Sequence, residues 1–231
     1  MNTELRVGIV DSGYRADQAA HVHASAAFVL DDDMQVYRRE AIEDRLGHGS
    51  AVLERIAFNA PEARFCVAQV FRDRAATTPL QIAEAMRWLV DQGVSLINLS
   101  LGVRADRTAL REACAYALDA GVVVCAASPA QGDPVFPSSY PGVVRVTGDA
   151  RCNAAQWSWL DSAQAEFGAL VRGDGATQAG ASIATAALSG HAAAWLMRHA
   201  DANADANRDA LLAWLRANAA FIGVERRTHA S

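Results

Sequence analysis

The feature that most limits the fold is a regular alternation of short apolar runs with segments of helical spacing. The apolar runs predict strands at 5–10, 64–71, 94–99, 122–127 and 143–147, with a further edge strand at 21–30. The apolar spacing predicts helices at 49–59, 80–91, 108–120, 183–199 and 208–218. Strands that alternate with helices form parallel sheets covered on both faces. We therefore expect a three-layer α/β/α fold around a mostly parallel sheet.

Polar residues follow several predicted strands directly. Asp11, Ser100 and Ser128 each stand just past a strand end. Sheets of this kind place their ligand sites at the carboxyl ends of strands, so one rim can hold all three residues. The polar segment 201–207 is expected to connect two helices.

Composition narrows the class of protein. The chain has 231 residues, of which 52% are hydrophobic and 20% charged, as in one globular domain with a sizeable core. A net charge of −5 argues against nucleic acid or an anionic membrane as partner. No signal peptide pattern and no apolar run of roughly 18 residues is present. We expect a single cytoplasmic domain over 1–231, without propeptide or signal peptide.

The cysteines and acidic residues indicate neither a cofactor nor a metal. Cys66, Cys114, Cys125 and Cys152 have no CxxC spacing, so free thiols are favoured over disulfides or zinc. The acidic run 31–33 is expected to form a solvated turn. A calcium loop is the alternative, but the alternating ligand pattern of such a loop is missing.

Three short segments place glycine beside an acid, a base and a hydroxyl. They are 7–13 around Asp11, 47–50 around His48 and 180–185 around Ser182. A serine hydroxyl is a poor nucleophile until a base takes its proton, and the base needs an acid behind it. The chain order Asp, His, Ser is one of three known orders for this triad.

Asp11 and Ser182 also have simpler explanations. Asp11 could be an ordinary turn residue at a strand end, and the segment around it would also suit a phosphate or nucleotide site. Ser182 could merely cap the helix that follows it. The same helix start offers free N–H groups and a dipole to an anion that forms beside the serine. The three segments together are therefore more informative than any one of them.

The three segments and their surroundings resemble the subtilisin-like serine proteases, or subtilases. Segments 95–102, 121–127 and 140–148 resemble consecutive strands of that fold, and the resemblance covers 5–222. In segment 180–185 and just after it, Ala181 and Ala186 replace the usual Thr and Pro. The resemblance implies a subtilase fold with Asp11, His48 and Ser182 as the catalytic triad. It also implies that Ser100, Leu101 and Gly102 line the substrate cleft, where an extended peptide can add as a strand.

One position departs from the subtilase pattern. Subtilases usually carry an Asn after the strand at 121–127, and its side chain donates to the oxyanion. Here that position falls near Pro129, which has no donor. Gln131 or Ser128 could replace it, or the N–H of Ser182 could act nearly alone. Loss of such a donor typically costs about 10²- to 10³-fold in turnover, so slow and dedicated processing is expected.

The favoured function is a cytoplasmic serine endopeptidase that removes a leader peptide from a specific protein partner. Small subtilases of this build resemble maturation proteases, including those of quinohemoprotein amine dehydrogenase biogenesis, which process the small subunit of that enzyme. The alternative is a catalytically impaired, subtilase-like module that binds peptides. A nucleotide-binding protein is disfavoured, because segment 11–13 supplies neither G-x-G-x-x-G nor a P-loop.

Overall fold

The computed structural model describes residues 4–172, 178–199 and 204–225, with side chains of the last helix described from residue 208. Its strands are β1 Arg6–Asp11, β2 Val22–Leu30, β3 Val36–Arg39, β4 Arg64–Gln69, β5 Leu96–Leu99, β6 Val123–Ala127, β7 Val144–Gly148, β8 Trp157–Trp159, β9 Phe167–Ala169 and β10 Phe221–Ile222. Its α-helices are α1 His48–Asn59, α2 Pro79–Asp91, α3 Thr108–Asp119, α4 Ala181–Arg198 and α5 Ala204–Ala217, and a 3₁₀ helix covers Ala16–His21.

All ten strands form one sheet, in the order β10-β8-β9-β7-β6-β5-β1-β4-β2-β3. The seven central strands, from β9 to β2, are parallel to one another. Only the borders break this pattern, because β8 runs antiparallel to β9 and β3 antiparallel to β2. The carboxyl ends of the central strands therefore share one edge of the sheet.

The two faces of the sheet carry separate hydrophobic cores. Helices α1, α4 and α5 cover one face, and α2 and α3 cover the other. Strand β1 shows why both faces are needed: Val7 and Ile9 belong to the first core and Val10 to the second. Successive side chains of a strand point to opposite faces, so a strand apolar throughout must be covered twice. The three-layer α/β/α architecture expected from the sequence is confirmed.

Helices α1 and α4 approach each other unusually closely. A Cβ atom at Gly190 would lie 2.8 Å from the carbonyl oxygen of Ile56 and 2.9 Å from Cβ of Asn59. The Asn59 amide also donates to the carbonyl of Ala187 at 3.2 Å. Helix α4 is buried over most of its surface, which explains its almost uniformly apolar sequence.

Several sequence predictions need correction. Strand β2 is not at the edge, because the short polar strand β3 pairs along its outer side. Strands β8 to β10 were not predicted. Helix α5 begins at Ala204, so the polar connection predicted over 201–207 ends earlier, and its first three residues lie outside the described residues.

The predictions for the acidic segment and for the cysteines agree with the structure. The acidic segment 31–33 forms a turn in which the Asp31 carboxylate accepts the N–H groups of Asp33 and Gln35. All four cysteines are free and buried. Within the described residues, no helix has the length and apolar character required to span a bilayer.

Candidate active site

The register of two central strands brings the ends of β1 and β5 together. Ile9 pairs with Asn98, and two residues further along each strand come Asp11 and Ser100. Neighbouring strands lie about 4.8 Å apart. Asp11 and Ser100 therefore stand side by side at the carboxyl edge of the sheet.

Asp11 and His48 form a close pair. Nδ1 of His48 lies 2.8 Å from Oδ1 of Asp11 and 2.9 Å from Oδ2. The Asp11 side chain is completely buried, whereas that of His48 is 26% exposed. A carboxylate can only accept, so Nδ1 carries the hydrogen in this pair. That leaves Nε2 of the neutral ring free to accept a proton.

Ser12 links the segment around Asp11 to the segment around His48. Its hydroxyl donates to Oδ1 of Asp11 at 3.2 Å and accepts the N–H of Gly49 at 2.8 Å. Its own N–H donates to the same carboxylate oxygen at 2.7 Å. The buried carboxylate is thus fully hydrogen-bonded, and the start of α1 is held against the end of β1.

Gly49 is required by this close approach. A Cβ atom there would lie 2.4 Å from the carbonyl oxygen of Gly13 and 2.8 Å from its nitrogen.

We expect Gly49→Ala to lower the free energy of unfolding by about 1–3 kcal/mol, as overpacking typically does. Urea unfolding followed by circular dichroism measures this. Glu54→Ala, an exposed change on the same helix, should stay within about 0.5 kcal/mol, and equal values for both variants would contradict the explanation.

Asp44 fixes the start of α1 and was missed by the sequence analysis. Its Oδ1 accepts the N–H groups of Leu46 and Gly47, and its Oδ2 accepts both the N–H and the hydroxyl of Ser50. Burial raises the pKa of the Asp44 carboxyl, but these hydrogen bonds outweigh it and lower the pKa overall. An Asp just ahead of a helical segment is a capping signal that could have identified it.

The environment of His48 makes the ring a stronger base. The hydrogen bond to Asp11 raises the pKa of His48, burial lowers it, and the charges of Asp11 and Asp44 raise it further, with a net increase. The raised pKa also couples protonation to stability. Protonated His48 stabilises the fold fully below its ordinary pKa near 6.5, and this contribution is lost as the pH rises through the folded-state pKa.

Ser182 lies at the start of α4 and is tied to the end of β5. Its hydroxyl donates to the carbonyl of Ser100 at 2.9 Å, and the hydroxyl of Ser100 donates back to the carbonyl of Ser182 at 2.9 Å. Behind them, the Asn98 amide donates to Oγ of Ser100, and Ser189 donates to Asn98. These buried contacts, which sequence reasoning did not foresee, hold α4 against the strand edge.

His48 and Ser182 both lie in the first turn of a helix, and the two helices pack against each other. The helices contact at Ile56 and Gly190, which lie eight residues after His48 and Ser182 respectively. With a rise of 1.5 Å per residue, each of the two residues lies about 12 Å from that contact along its own helix. Within the described part of the chain, no hydrogen bond joins the two side chains. The serine hydroxyl must leave the Ser100 carbonyl before it can give its proton to His48.

The start of α4 offers N–H groups to an anion beside Ser182. The first intrahelical bond runs from the N–H of Ala184 to the carbonyl of Gly180. The preceding N–H groups of Ala181, Ser182 and Ile183 have no hydrogen-bond partner among the described residues. The helix dipole adds to the positive potential at this point.

Neither predicted oxyanion side chain reaches Ser182 in the described part of the structure. The Ser128 hydroxyl donates instead to the carbonyl of Gln164 at 2.6 Å and is nearly buried. The side chain of Gln131 is exposed and makes no hydrogen bond with a described residue. Both assignments stay predictions, and the α4 N–H groups are better placed for the role.

The segment predicted to line the substrate cleft has free main-chain groups. Leu101 and Gly102 follow Ser100 at the strand edge, and their N–H and carbonyl groups bond to no described residue. Leu101 is 9% exposed, and Gly102 is exposed. An extended peptide could therefore pair with this edge.

A separate cavity of about 580 Å³ lies at the amino ends of β7 and β9. Arg145, Glu166, Arg208 and Arg216 are among the residues that line it. The catalytic candidates stand at the opposite, carboxyl edge of the sheet, so this cavity is no part of their site.

The fold, together with an acid–base pair and a serine at one edge of a parallel sheet, agrees with a match to the Subtilase family over residues 2–227. The chain belongs to the subtilase family. Among its relatives, Subtilisin DY of Bacillus licheniformis is 28% identical over 171 residues, which cover 67% of this chain and 60% of that protein. The chain thus matches less than two thirds of that relative's length.

Solved structures show the same fold at low sequence identity. The psychrophilic protease S41 aligns with a TM-score of 0.68 at 20% identity, covering 90% of this chain and 82% of its own. The prenylagaramide maturation protease PagA aligns with a TM-score of 0.64, also at 20% identity, with the same coverage of both chains.

Proposed function

We propose that the protein is a serine endopeptidase with Ser182 as nucleophile, His48 as general base and Asp11 as the acid that orients it. The observation that carries the proposal is the 2.8 Å contact between Nδ1 of His48 and the buried Asp11 carboxylate. It leaves Nε2 to accept a proton at the edge where α4 presents a serine. Membership of the subtilase family supports the assignment.

The proposed reaction begins when an extended peptide pairs with the edge at Ser100, Leu101 and Gly102. The Ser182 hydroxyl gives its proton to Nε2 of His48 while its oxygen attacks the peptide carbonyl. N–H groups at the start of α4 stabilise the oxyanion. His48 then donates the proton to the leaving amine. A water next gives a proton to His48 and attacks the acyl-enzyme, and His48 returns that proton to the Ser182 oxygen as the acyl group leaves.

The substrate we propose is a protein precursor that carries a leader peptide. One structural neighbour supports this class, since PagA is named as a maturation protease and aligns with a TM-score of 0.64. The lack of an oxyanion side chain at Pro129 also favours slow, dedicated cleavage. The small subunit of quinohemoprotein amine dehydrogenase is the specific precursor that we propose to test, in the cytoplasm.

A second candidate is a peptide-binding module without catalytic turnover. Two observations favour it: the Ser182 hydroxyl is bonded to the Ser100 carbonyl rather than to His48, and Pro129 stands where an oxyanion donor is usual. The intact pair of Asp11 and His48 argues against it, because a peptide-binding surface does not need a buried acid behind an imidazole.

A covalent probe distinguishes the two candidates. A small alkyl fluorophosphonate reacts with an activated serine, so we expect mass spectrometry of the folded protein to locate the label on Ser182. His48→Ala should prevent labelling and Ser95→Ala should not, since Ser95 precedes the opposite end of β5. An unlabelled but folded protein would favour the binding module.

A second experiment identifies the substrate. Host lysate is incubated either with the active enzyme or with the enzyme inactivated by the label, and the new N-termini in the two samples should differ at one or few precursor proteins.

A further inference from the structure

The loop after β6 folds back onto the edge proposed to bind substrate. Phe136 pairs with Val103 in an antiparallel bridge, with the N–H of Val103 bonded to the Phe136 carbonyl at 2.8 Å and the reciprocal bond at 2.9 Å. The residue before Phe136 is Val135, and the residue before Val103 is Gly102. In this antiparallel bridge Gly102 faces Pro137, so Val135 lies diagonally across from the last residue of the proposed substrate edge.

The side chain of Val135 packs directly on Gly102. A Cβ atom at Gly102 would lie 3.0 Å from Cγ2 of Val135 and 3.3 Å from its Cβ. Both distances are tighter than ordinary van der Waals contact. The space on this side of Gly102 is thus already filled by one isopropyl group.

The same space is where the side chain next to the cleaved bond has to go. The attacked carbonyl must come within about 3–3.5 Å of the Ser182 hydroxyl, which lies 2.9 Å from the Ser100 carbonyl. On one side of β5 stands β1, whose last residue Asp11 contacts His48. The other side is bordered by the end of β6 and the loop with Val135. A side chain that turns inward from the substrate therefore enters the gap between Gly102 and this loop.

Val135 is held too firmly to make way for a large group. Its carbonyl accepts three hydrogen bonds, from the hydroxyl of Ser138, the hydroxyl of Ser139 and the N–H of Ser139, at 2.9, 2.8 and 3.0 Å. The ring of Phe136 packs against Tyr140 with centroids 5.0 Å apart. The main chain from the Val135 carbonyl onwards is thus fixed.

We infer that Val135 is a specificity-determining residue that closes the subsite beside Gly102, so that the enzyme accepts only glycine or alanine on the amino side of the cleaved bond. The inference rests on the proposed protease function. Leucine or phenylalanine would have to displace the isopropyl group or leave its own side chain in water. Each extra methylene that does not fit a pocket typically costs about 10- to 200-fold in specificity.

Peptidyl phosphonates that differ only in the side chain next to the reactive phosphorus test this inference. We expect the alanine probe to label the wild-type enzyme about 100-fold faster than the phenylalanine probe, given the typical cost of a misfit. Val135→Gly should reduce this ratio at least about 10-fold by accelerating the phenylalanine probe. Val135→Thr, which keeps the shape of the side chain, should retain the wild-type ratio. Val135→Ala provides an intermediate opening if the glycine variant unfolds.

The small alkyl fluorophosphonate, which has no such side chain, serves as the reference. If it labels Ser182 while the wild type reacts equally with both peptidyl probes, the inference is wrong and the proposed function stands. The inference is also wrong if folded, reference-labelled Val135→Gly and Val135→Ala both keep the wild-type ratio. Failure of the reference probe itself would overturn the proposed protease function and the inference with it.

Discussion

Replacing Ser182 with alanine is expected to lower kcat for peptide cleavage by about 10⁴-fold or more, the usual consequence of losing the nucleophile of a triad. The variant keeps the helix start and its N–H groups, so it should still bind substrate with little change in affinity. The hydroxyl also bonds to the Ser100 carbonyl, and its loss should cost only about 1 kcal/mol of stability. Single-turnover cleavage of the identified precursor measures the rate, and calorimetry measures the affinity for substrate.

The matched control for this change is Ser95→Ala. Ser95 lies just before β5, at the opposite end of that strand from Ser100, and its side chain makes no hydrogen bond to a described residue. The Ser95→Ala variant should cleave at the wild-type rate. Cleavage by Ser182→Ala at a rate within about 10-fold of the control would assign the nucleophile elsewhere.

Replacing Asp11 with asparagine is expected to lower kcat by about 10³- to 10⁴-fold. The amide would donate to Nδ1 of His48, which moves the ring hydrogen to Nε2 and removes the acceptor that Ser182 needs. The hydrogen bond to Asp11 is also the largest cause of the raised pKa of His48. The residual activity should therefore persist to lower pH than that of the wild type.

The pH profile of kcat/KM tests the sign of this effect. In the wild type, activity requires the neutral ring, so it should fall as the pH drops through a His48 pKa above 6.5. In Asp11→Asn the acid limb of the profile should move to lower pH. Asp133→Asn removes one exposed carboxylate from a loop and should leave both limb and rate unchanged. A limb that stays in place in Asp11→Asn would contradict the role of this pair.

The sequence located the central architecture because its signals are local. Buried parallel strands are continuous apolar runs, and each predicted run that became one of the five strands β1 and β4 to β7 ends within two residues of its predicted end. The short strands β8 to β10 have only two or three residues each, too few for any periodicity. Strand β3 is polar and mostly exposed, so nothing in its pattern separates it from a loop.

The candidate triad was likewise visible in the sequence, whereas its supporting contacts were not. Glycine beside Asp11, His48 and Ser182 is a local signal. The hydrogen bonds by which Ser12 links Asp11 to Gly49, and the four that the Asp44 carboxylate accepts, depend on which loops meet in space. The resting partner of the Ser182 hydroxyl is a main-chain oxygen on another strand, which no side-chain pattern can indicate.

The contact between Ile56 and Gly190 has a consequence for how this chain can change over time. A single inserted residue between that contact and either helix start would turn the catalytic side chain by about 100° and advance it by about 1.5 Å. Substitutions along these two stretches can be absorbed, but an insertion in either one would turn its catalytic side chain away from the other. Evolution can thus change the composition of the two segments more readily than the length of either one.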